Sequence, residues 1–378
     1  MESNIYFDFI LKPVGGKCNI GCIYCYYLQQ DISHQKNEKW SLDFGKKILT
    51  DLAAFEHSRG KKTLHVTWHG GEPLLAGLEW YEQIFSFQST LPVEVKNSFQ
   101  TNGTLLTKDW VKFLKSHNAT IGISIDGPDF VHDKQRVTKN NKGTHNKVIK
   151  AIELCNEYDL HCGVLCVVTK HSIQNPIEIL DFFVNNGIYG FDFLPAYSLS
   201  SITGNPLDIS ISPKEYAGFM KDVFNWYLTK DDPEIRIRSI VTVIERLLGG
   251  RGGVCTIGGK CCGSFLTIEV DGHIAFCDDY NAHLFPDLGN INNLSISDII
   301  DSDNFIKSRQ FALSRVQDSI KCANCPVREI CGGGCPRNWN GDTNYFCDYY
   351  LDFYTYAYEK LRNTLNPILV SSGHEMKN

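Results

Sequence analysis

The sequence predicts an α/β protein with a parallel sheet and outer helices, followed by a small cysteine-rich domain. Three observations support this fold class: six alternating strand and helix patterns up to about Pro195, a glycine-rich stretch at Gly249–Gly253, and a rise in cysteine density beyond it. Six such repeats are typical of an open twisted sheet or a partial barrel. Clustered cysteines with little regular structure are typical of a small domain held together by metal.

Each repeat begins with a short apolar run and continues with an amphipathic stretch. The predicted strands are Tyr6–Lys12, Thr63–Trp68, Val93–Phe99, Thr120–Ile125, His161–Val168 and Gly190–Leu194. The predicted helices between them are Phe44–Phe55, Glu79–Phe87, Lys108–Ser116, His145–Glu157 and Pro176–Asn186. Parallel strands end at one edge of a sheet, so we expect five following segments to share a rim. These segments are Cys18–Cys25, Gly70–Glu72, Gln100–Gly103, Ser124–Pro128 and Leu194–Tyr197.

The remainder of the chain has fewer regular elements. Pro213–Tyr227 and Ile235–Leu248 are predicted helices, Phe265–Phe276 is a predicted hairpin, and Tyr349–Leu365 is a predicted closing helix. We therefore expect two domains, residues 1–235 with a bridging helix and residues 236–378 with the closing helix.

Composition restricts the class of protein. The chain has 378 residues, of which 43% are hydrophobic, so it can bury a sizeable core. A net charge of −6 without a basic stripe argues against a nucleic-acid partner. We find no signal-peptide pattern and no apolar run long enough to cross a bilayer. Fifteen cysteines without an export signal indicate metal binding in a reducing compartment, so we expect a cytoplasmic metalloprotein without a membrane partner.

The first cysteine cluster is Cys18-x3-Cys22-x2-Cys25. Half a zinc site, a ferredoxin-like cluster lacking its fourth thiolate, and buried structural cysteines are alternative interpretations. Zinc sites generally use C-x2-C pairs, which this spacing does not match. Three thiolates can hold a cubane iron–sulfur cluster and leave its fourth iron open to a small molecule.

Gly70, Gly71 and Glu72 follow a predicted strand. They could form an ordinary turn. Alternatively, the two glycines let the backbone approach a ligand closely, and the carboxylate can accept hydrogen bonds from an ammonium group.

Ser124 and Asp126 end another predicted strand, and Arg136 follows closely. The first two residues could belong to a common turn, and a lone arginine is often solvated. As binding groups, the hydroxyl and the carboxylate could hold a ribose or a ligand carboxylate, and Arg136 could pair with a carboxylate in bidentate fashion.

The later cysteines form two further groups. They are Cys255, Cys261, Cys262 and Cys277, then Cys322-x2-Cys325-x5-Cys331-x3-Cys335 with a distal Cys347. A pair of structural zinc ribbons is one interpretation. The second spacing is unusual for zinc, so we favour two auxiliary [4Fe–4S] clusters.

The cysteine triad, with Tyr24 inside it, resembles the signature of the radical S-adenosylmethionine (SAM) superfamily. The resemblance implies a partial (β/α)6 barrel and a 5′-deoxyadenosyl radical as the reactive species. It also implies that Glu72 and the backbone of Gly71, in the motif that begins at Gly70, contact the amino group of SAM. Ser124 and Arg136 would lie at the SAM carboxylate, near Asp126, and Tyr24 and Tyr197 beside the adenosine.

The C-terminal cysteines resemble the SPASM domain of many peptide-modifying members of that superfamily. The pattern includes Gly272…Cys277, Cys322…Cys335 and Cys347. The resemblance implies that one auxiliary cluster is held by Cys255, Cys261 or Cys262, Cys277 and Cys335, and the other by Cys322, Cys325, Cys331 and Cys347. With the triad this makes three [4Fe–4S] clusters. The sequence leaves the choice between Cys261 and Cys262 open.

Within this group the chain resembles the anaerobic sulfatase-maturating enzymes, which oxidise a Ser or Cys of a partner protein to formylglycine. The matching segments are Lys12-Pro13, Gln100–Gly103, Cys255–Cys262, Cys277-Asp278 and Leu288–Asn290. The resemblance implies Asp278 as the base, although a turn residue beside the cluster is the alternative, and Tyr27 as a substrate contact. Asp279 replaces an aromatic residue common in that family, which puts the substrate pocket in question.

Two other functions remain open at this stage. The same machinery could crosslink or otherwise modify a ribosomally made peptide, or the chain could be a non-catalytic electron-transfer or zinc-scaffold protein. The leading hypothesis requires a protein or peptide substrate and a low-potential electron donor such as flavodoxin or ferredoxin.

Overall fold

A computed structural model describes residues 5–25, 27, 39–197, 208–258, 262–278 and 286–372, with side chains described as far as residue 362. The chain divides into two compact units. The first contains the described residues of Met1–Ile125, Arg136–Gly163 and Gly263–Arg309. The second contains those of Asp126–Gln135, Val164–Cys262 and Gln310–Asn378.

Strands and helices alternate through the first half of the chain. The strands are β1 (Asp8–Leu11), β2 (Thr63–Trp68), β3 (Glu94–Thr101), β4 (Thr120–Ser124), β5 (Cys162–Val168), β6 (Gly190–Pro195), β7 (Arg236–Ile237), β8 (Phe265–Ile268), β9 (Ile274–Phe276), β10 (Trp339–Asn340) and β11 (Thr343–Asn344). The helices are α1 (Leu42–Ser58), α2 (Leu78–Gln88), α3 (Lys108–Ser116), α4 (Asp129–His132), α5 (His145–Glu157), α6 (Pro176–Asn185), α7 (Pro213–Lys230), α8 (Arg238–Leu247), α9 (Ile296–Ile300), α10 (Asp303–Asp318), α11 (Ile320–Ala323), α12 (Arg328–Cys331) and α13 (Cys347–Ser372).

In the first unit the strands lie in the order β4-β3-β2-β1-β8-β9. The first five are parallel, and β9 returns antiparallel to β8, which is the predicted hairpin. Leu11 on β1 lies opposite both Trp68 on β2 and Ile268 on β8. This register brings the residues that follow these three strand ends to one edge of the sheet.

Aromatic side chains fill the core of the first unit between the sheet and its helices. Trp68 lies 5.2 Å from Tyr81 between ring centroids, and Tyr81 lies 5.0 Å from Phe99. All three side chains are buried. Helix α3 begins where the Thr107 side chain accepts a hydrogen bond from the Trp110 amide, which caps the helix. Packing between the sheet and its helices therefore holds the strands in place.

The second unit contains the parallel strands β7-β6-β5 and the long helices α7 and α13, which pack along each other. Ser212 and Glu215 form a capping box at the start of α7. Tyr216 of α7 lies 4.7 Å from Tyr349 of α13 between ring centroids. The parallel α/β fold class is thus confirmed. Among the described helices, none combines the length and the hydropathy needed to cross a membrane.

Candidate functional site

The cysteine triad lies on the loop after β1, and the turn after β2 holds this loop by its main chain. The Gly71 amide donates to the Gly15 carbonyl at 2.8 Å, and the Glu72 amide donates to the Lys17 carbonyl at 2.9 Å. A Cβ atom on Gly71 would lie 2.2 Å from the Lys17 oxygen, and Gly70 has a φ of +114°. Only glycine fits such an approach, so the two glycines position the cysteine loop.

Glu72 connects this turn to the end of β3. Its fully buried carboxylate accepts hydrogen bonds from the Leu74 amide (3.0 Å), the Thr101 hydroxyl (2.7 Å) and the Asn102 amide (2.8 Å). Burial raises the pKa of Glu72 to about 7, although these three donors oppose the shift. The carboxylate thus joins neighbouring strand ends.

Hydrogen-bond donors surround the triad thiols. Asn102 Nδ2 lies 3.6 Å from Cys18 Sγ, and Arg136 Nη1 lies 3.9 Å from Cys22 Sγ. The Cys25 amide donates to the Cys22 carbonyl at 3.0 Å, and Cys18 interacts electrostatically with Cys25. Donors directed at sulfur stabilise the thiolates that hold an iron–sulfur cluster. The residues present therefore fit a three-cysteine cluster.

The other predicted SAM-binding residues are divided between the units. In the first unit, Tyr24 lies under the Arg136 guanidinium at 5.3 Å, and Ser124 accepts a hydrogen bond from Gln100 at 3.2 Å. In the second unit, the Asp126 carboxylate accepts from the Val167 amide at 2.9 Å and from Gln135 at 2.7 Å. Also in the second unit, the Tyr197 ring stacks on Tyr345 with centroids 4.1 Å apart. Asp126 therefore has a structural role within its own unit.

The strand register of the first unit assembles a charged cluster around Asp278. Lys12 and Glu269 directly follow β1 and β8, and Lys12 Nζ lies 2.7 Å from Glu269 Oε1 and 2.9 Å from Asp278 Oδ1. The Tyr27 hydroxyl donates to Asp278 Oδ1 at 3.0 Å, and His69 Nδ1 lies 3.6 Å from Asp278 Oδ2. Asp278 is thus contacted by a cation, a phenol and an imidazole.

Burial sets the charge states in this cluster, which we call the Asp278 cluster. Burial alone would lower the pKa of Lys12, but Asp278, Tyr27 and Glu269 together raise that pKa well above its ordinary value. Burial lowers the pKa of His69, so the imidazole is neutral at pH 7. Because Lys12 stays charged, it lies as a cation between the Asp278 and Glu269 carboxylates.

The thiols of one predicted auxiliary site converge in the second unit. Cys331 interacts electrostatically with Cys347, Cys325 and Cys322, and the Thr343 hydroxyl lies 3.1 Å from Cys347 Sγ. Within the described ranges, however, no three histidine, cysteine or acidic side chains are close enough to hold one metal ion. The four thiols of this predicted site thus lie near one another in the second unit.

The other predicted auxiliary site is described in part. Cys335 interacts with Cys255 and Cys262, whereas Cys261 and Asp279 lie outside the described residues. Cys277 belongs to the first unit, where it has a φ of +54° and its amide donates to the Phe265 carbonyl at 2.9 Å. Burial raises the pKa of Cys335 to about 12.

Sequence reasoning did not assign a role to Lys12, His69, Glu269 or Asn102. Lys12 belongs to the matching segment Lys12-Pro13 and His69 directly precedes Gly70, so their position was a signal. The sequence carries no such signal for Glu269, because its place beside Lys12 depends on the pairing of β8 with β1.

Two family models match the chain. The radical SAM superfamily matches residues 13–183, and an iron–sulfur cluster-binding domain named SPASM matches residues 261–326. The chain therefore carries a radical SAM region followed by a SPASM region, which supports an enzyme of this kind. These families imply iron–sulfur clusters and SAM as its cofactors.

Its curated relatives include the cysteine-type anaerobic sulfatase-maturating enzyme of Clostridium perfringens, which is 28% identical over 96% of this chain and 99% of its own length. The serine-type enzyme of Bacteroides thetaiotaomicron is 28% identical over 92% of this chain and 88% of its own length. The solved structure of anSMEcpe with AdoMet and the Cp18Cys peptide superposes with a TM-score of 0.84 at 26% identity, covering 96% and 99% of the two chains. The predicted resemblance is thus confirmed.

Replacing Gly71 by Ala should displace the cysteine loop, because the new Cβ would overlap the Lys17 carbonyl. We expect a loss of about 1–3 kcal/mol in stability and reduced iron at the first site. Anaerobic iron analysis and thermal unfolding measure both effects. Gly218→Ala is the matched control, because α7 leaves its Cβ open space. Wild-type iron content and stability in Gly71→Ala would contradict this role.

Replacing Lys12 by Met should leave two carboxylates without their cation. Breaking a buried ion pair in this way costs about 3–5 kcal/mol, measured by anaerobic denaturant unfolding. The control Lys47→Met removes an exposed pair with Asp51, which contributes only about 0.3–0.5 kcal/mol. Equal losses in the two variants would mean that the Asp278 cluster does not depend on Lys12.

Proposed function

We propose that this enzyme oxidises a Ser or Cys side chain of a sulfatase-type protein substrate to formylglycine. The observation that carries the proposal is the Asp278 cluster, because the oxidation needs a base beside an electron acceptor. Asp278 directly follows Cys277, a proposed ligand of an auxiliary cluster. The relatives, which include cysteine-type and serine-type sulfatase-maturating enzymes, support the same substrate class.

The proposed cofactor sites follow from the residues described above. The triad would hold the first [4Fe–4S] cluster, with SAM bound by the residues of the turn after β2, by Ser124 and Arg136, and by Tyr24. Arg136 is 7% exposed and its guanidinium lies beside both a triad thiol and Tyr24, so it can pair with the SAM carboxylate at that point. Bound SAM and its cluster would supply the radical that removes a hydrogen atom from the substrate, and the auxiliary clusters would accept an electron.

The chain's own residues then have to remove a proton. After the hydrogen atom leaves the substrate Cβ, the hydroxyl or thiol loses one proton and the carbon centre loses one electron, which leaves an aldehyde or a thioaldehyde. Asp278 would accept that proton, since its carboxylate is one-fifth exposed and can reach a substrate. For a Cys substrate, water would then replace the sulfur and release sulfide.

Lys12, Tyr27 and His69 would keep Asp278 in place for this transfer. Lys12 and Tyr27 both contact Oδ1, while Oδ2 lies toward His69 at 3.6 Å. His69 Nδ1 is buried and faces Oδ2, so the imidazole packs against the carboxylate on that side.

The test is to incubate the reconstituted enzyme with SAM, a reductant and matched Ser- and Cys-containing sulfatase peptides. Mass spectrometry should detect an aldehyde-containing product and, after a hydrazine reagent is added, the hydrazone of that product. A flavodoxin or ferredoxin should replace the chemical reductant. Crosslinked or epimerised peptides in place of an aldehyde would contradict the proposal and favour a peptide maturase.

The cysteine triad should account for a third of the bound iron. We expect about twelve irons per wild-type chain and about eight after Cys18, Cys22 and Cys25 are replaced by Ala. The variant should not cleave SAM, because no open iron would remain to bind it. Iron and sulfide analysis, together with chromatography of 5′-deoxyadenosine, checks both expectations. SAM cleavage by the triple variant would contradict the assignment.

Asp278→Asn should retain SAM cleavage and lose formylglycine, because the amide keeps the side chain's shape but is a far weaker base. General-base catalysis contributes about 10²–10⁴-fold to a rate, so we expect product formation to fall by that range. Asp303→Asn, at an exposed ion pair with Lys307, is the matched control. Undiminished peptide oxidation in Asp278→Asn would remove this residue from the role of base.

A further inference from the structure

Arg315 is a buried cation that neither the SAM site nor the Asp278 cluster uses. It lies on α10, and only 5% of the residue is exposed. Among the described residues, its Nε and Nη1 atoms are buried without a hydrogen-bond partner. Leaving buried donors of a charged group unsatisfied is costly, so these two atoms indicate a missing acceptor.

The Arg315 guanidinium packs against Gly332–Gly334, the loop between the proposed cluster ligands Cys331 and Cys335. Its Nη2 atom donates to the Gly334 carbonyl. The guanidinium carbon lies 5.3 Å from the centre of the Trp339 ring. The Trp339 indole in turn donates to the Gly333 carbonyl at 2.7 Å. These contacts hold the guanidinium beside the segment between Cys331 and Cys335.

Thiols of both proposed auxiliary sites interact electrostatically with this guanidinium within the second unit. Burial lowers the pKa of Arg315, and Cys262, Cys335 and Cys331 oppose that shift. Cys335 and Cys262 belong to one proposed site, and Cys331 belongs to the other. Sulfurs of iron–sulfur clusters accept hydrogen bonds, and such bonds together with positive charge raise the cluster's reduction potential.

We propose that Arg315 raises the reduction potentials of the auxiliary clusters through its charge and its two unsatisfied N–H groups. This inference rests on the proposed function, because it requires iron–sulfur clusters at these cysteines. In the proposed reaction the substrate radical loses one electron to an auxiliary cluster, and a higher potential favours that direction. Arg315 would thus influence the oxidation step without contacting the substrate.

The test is a potentiometric titration of the anaerobic holoenzyme, monitored by electron paramagnetic resonance. Spectra of the triad variant identify the auxiliary signals. Arg315→Gln should shift at least one auxiliary potential downward by a tenfold change in the equilibrium constant, which is about 59 mV for one electron. Lys230→Gln, which removes one exposed charge from the end of α7, should leave the potentials unchanged.

Iron analysis separates this inference from the proposed function. Absence of auxiliary iron in the wild-type chain would overturn both, whereas full iron with an unshifted potential in Arg315→Gln would overturn only the role of Arg315. If the glutamine variant loses iron, the auxiliary potentials are measured in Arg315→Lys instead. Its potential should also fall, because an ammonium lacks the planar fork of donors. Wild-type potentials in the lysine variant, or iron loss from both variants, would contradict the inference.

Discussion

The site depends first on the close main-chain contact between the loop after β1 and the turn after β2. Two hydrogen bonds, from Gly71 to Gly15 and from Glu72 to Lys17, join segments that approach too closely for a Cβ atom at Gly70 or Gly71. Backbone contacts therefore help to fix the cysteine loop. The buried Glu72 carboxylate extends this connection to β3. A cluster bound there would meet a preformed loop.

The second constraint is electrostatic. Lys12 is almost completely buried between Asp278 and Glu269, and in a medium of low dielectric constant such charges interact more strongly than they do in water. Removing Lys12 leaves both carboxylates without their cation. The same network thus also fixes the position of Asp278. Strand register and charge state are linked, because Lys12 and Glu269 meet only when β1 pairs with β8.

Local patterns in the sequence predicted much of the fold. Helices Lys108–Ser116 and His145–Glu157 have their predicted bounds, and strand Thr63–Trp68 does too. Their apolar periodicity is strong and their ends carry turn or capping residues. Helix α13 is longer than predicted and ends at Ser372.

The contacts within the site were less accessible to sequence reasoning. Spacing alone grouped the cysteines, but Glu269 and Arg315 act through pairings between distant segments, which no local period reveals. The sequence also assigned Glu72 and Gly71 to a ligand. That assignment stays a prediction; the structure adds that the Gly71 amide and the Glu72 carboxylate bond to the protein's own groups. The position of Gly71 and Glu72 after a strand indicated that they belong to the site. Their hydrogen-bond partners depend on the folded backbone and could not be predicted.

The central claim is that the cluster held by the cysteine triad leaves one iron open to SAM. Electron paramagnetic resonance of the reduced holoenzyme, recorded before and after SAM is added, tests this claim most directly. The account predicts that the signal of the triad cluster changes on addition while the auxiliary signals do not. A triad signal that SAM leaves unchanged would contradict it.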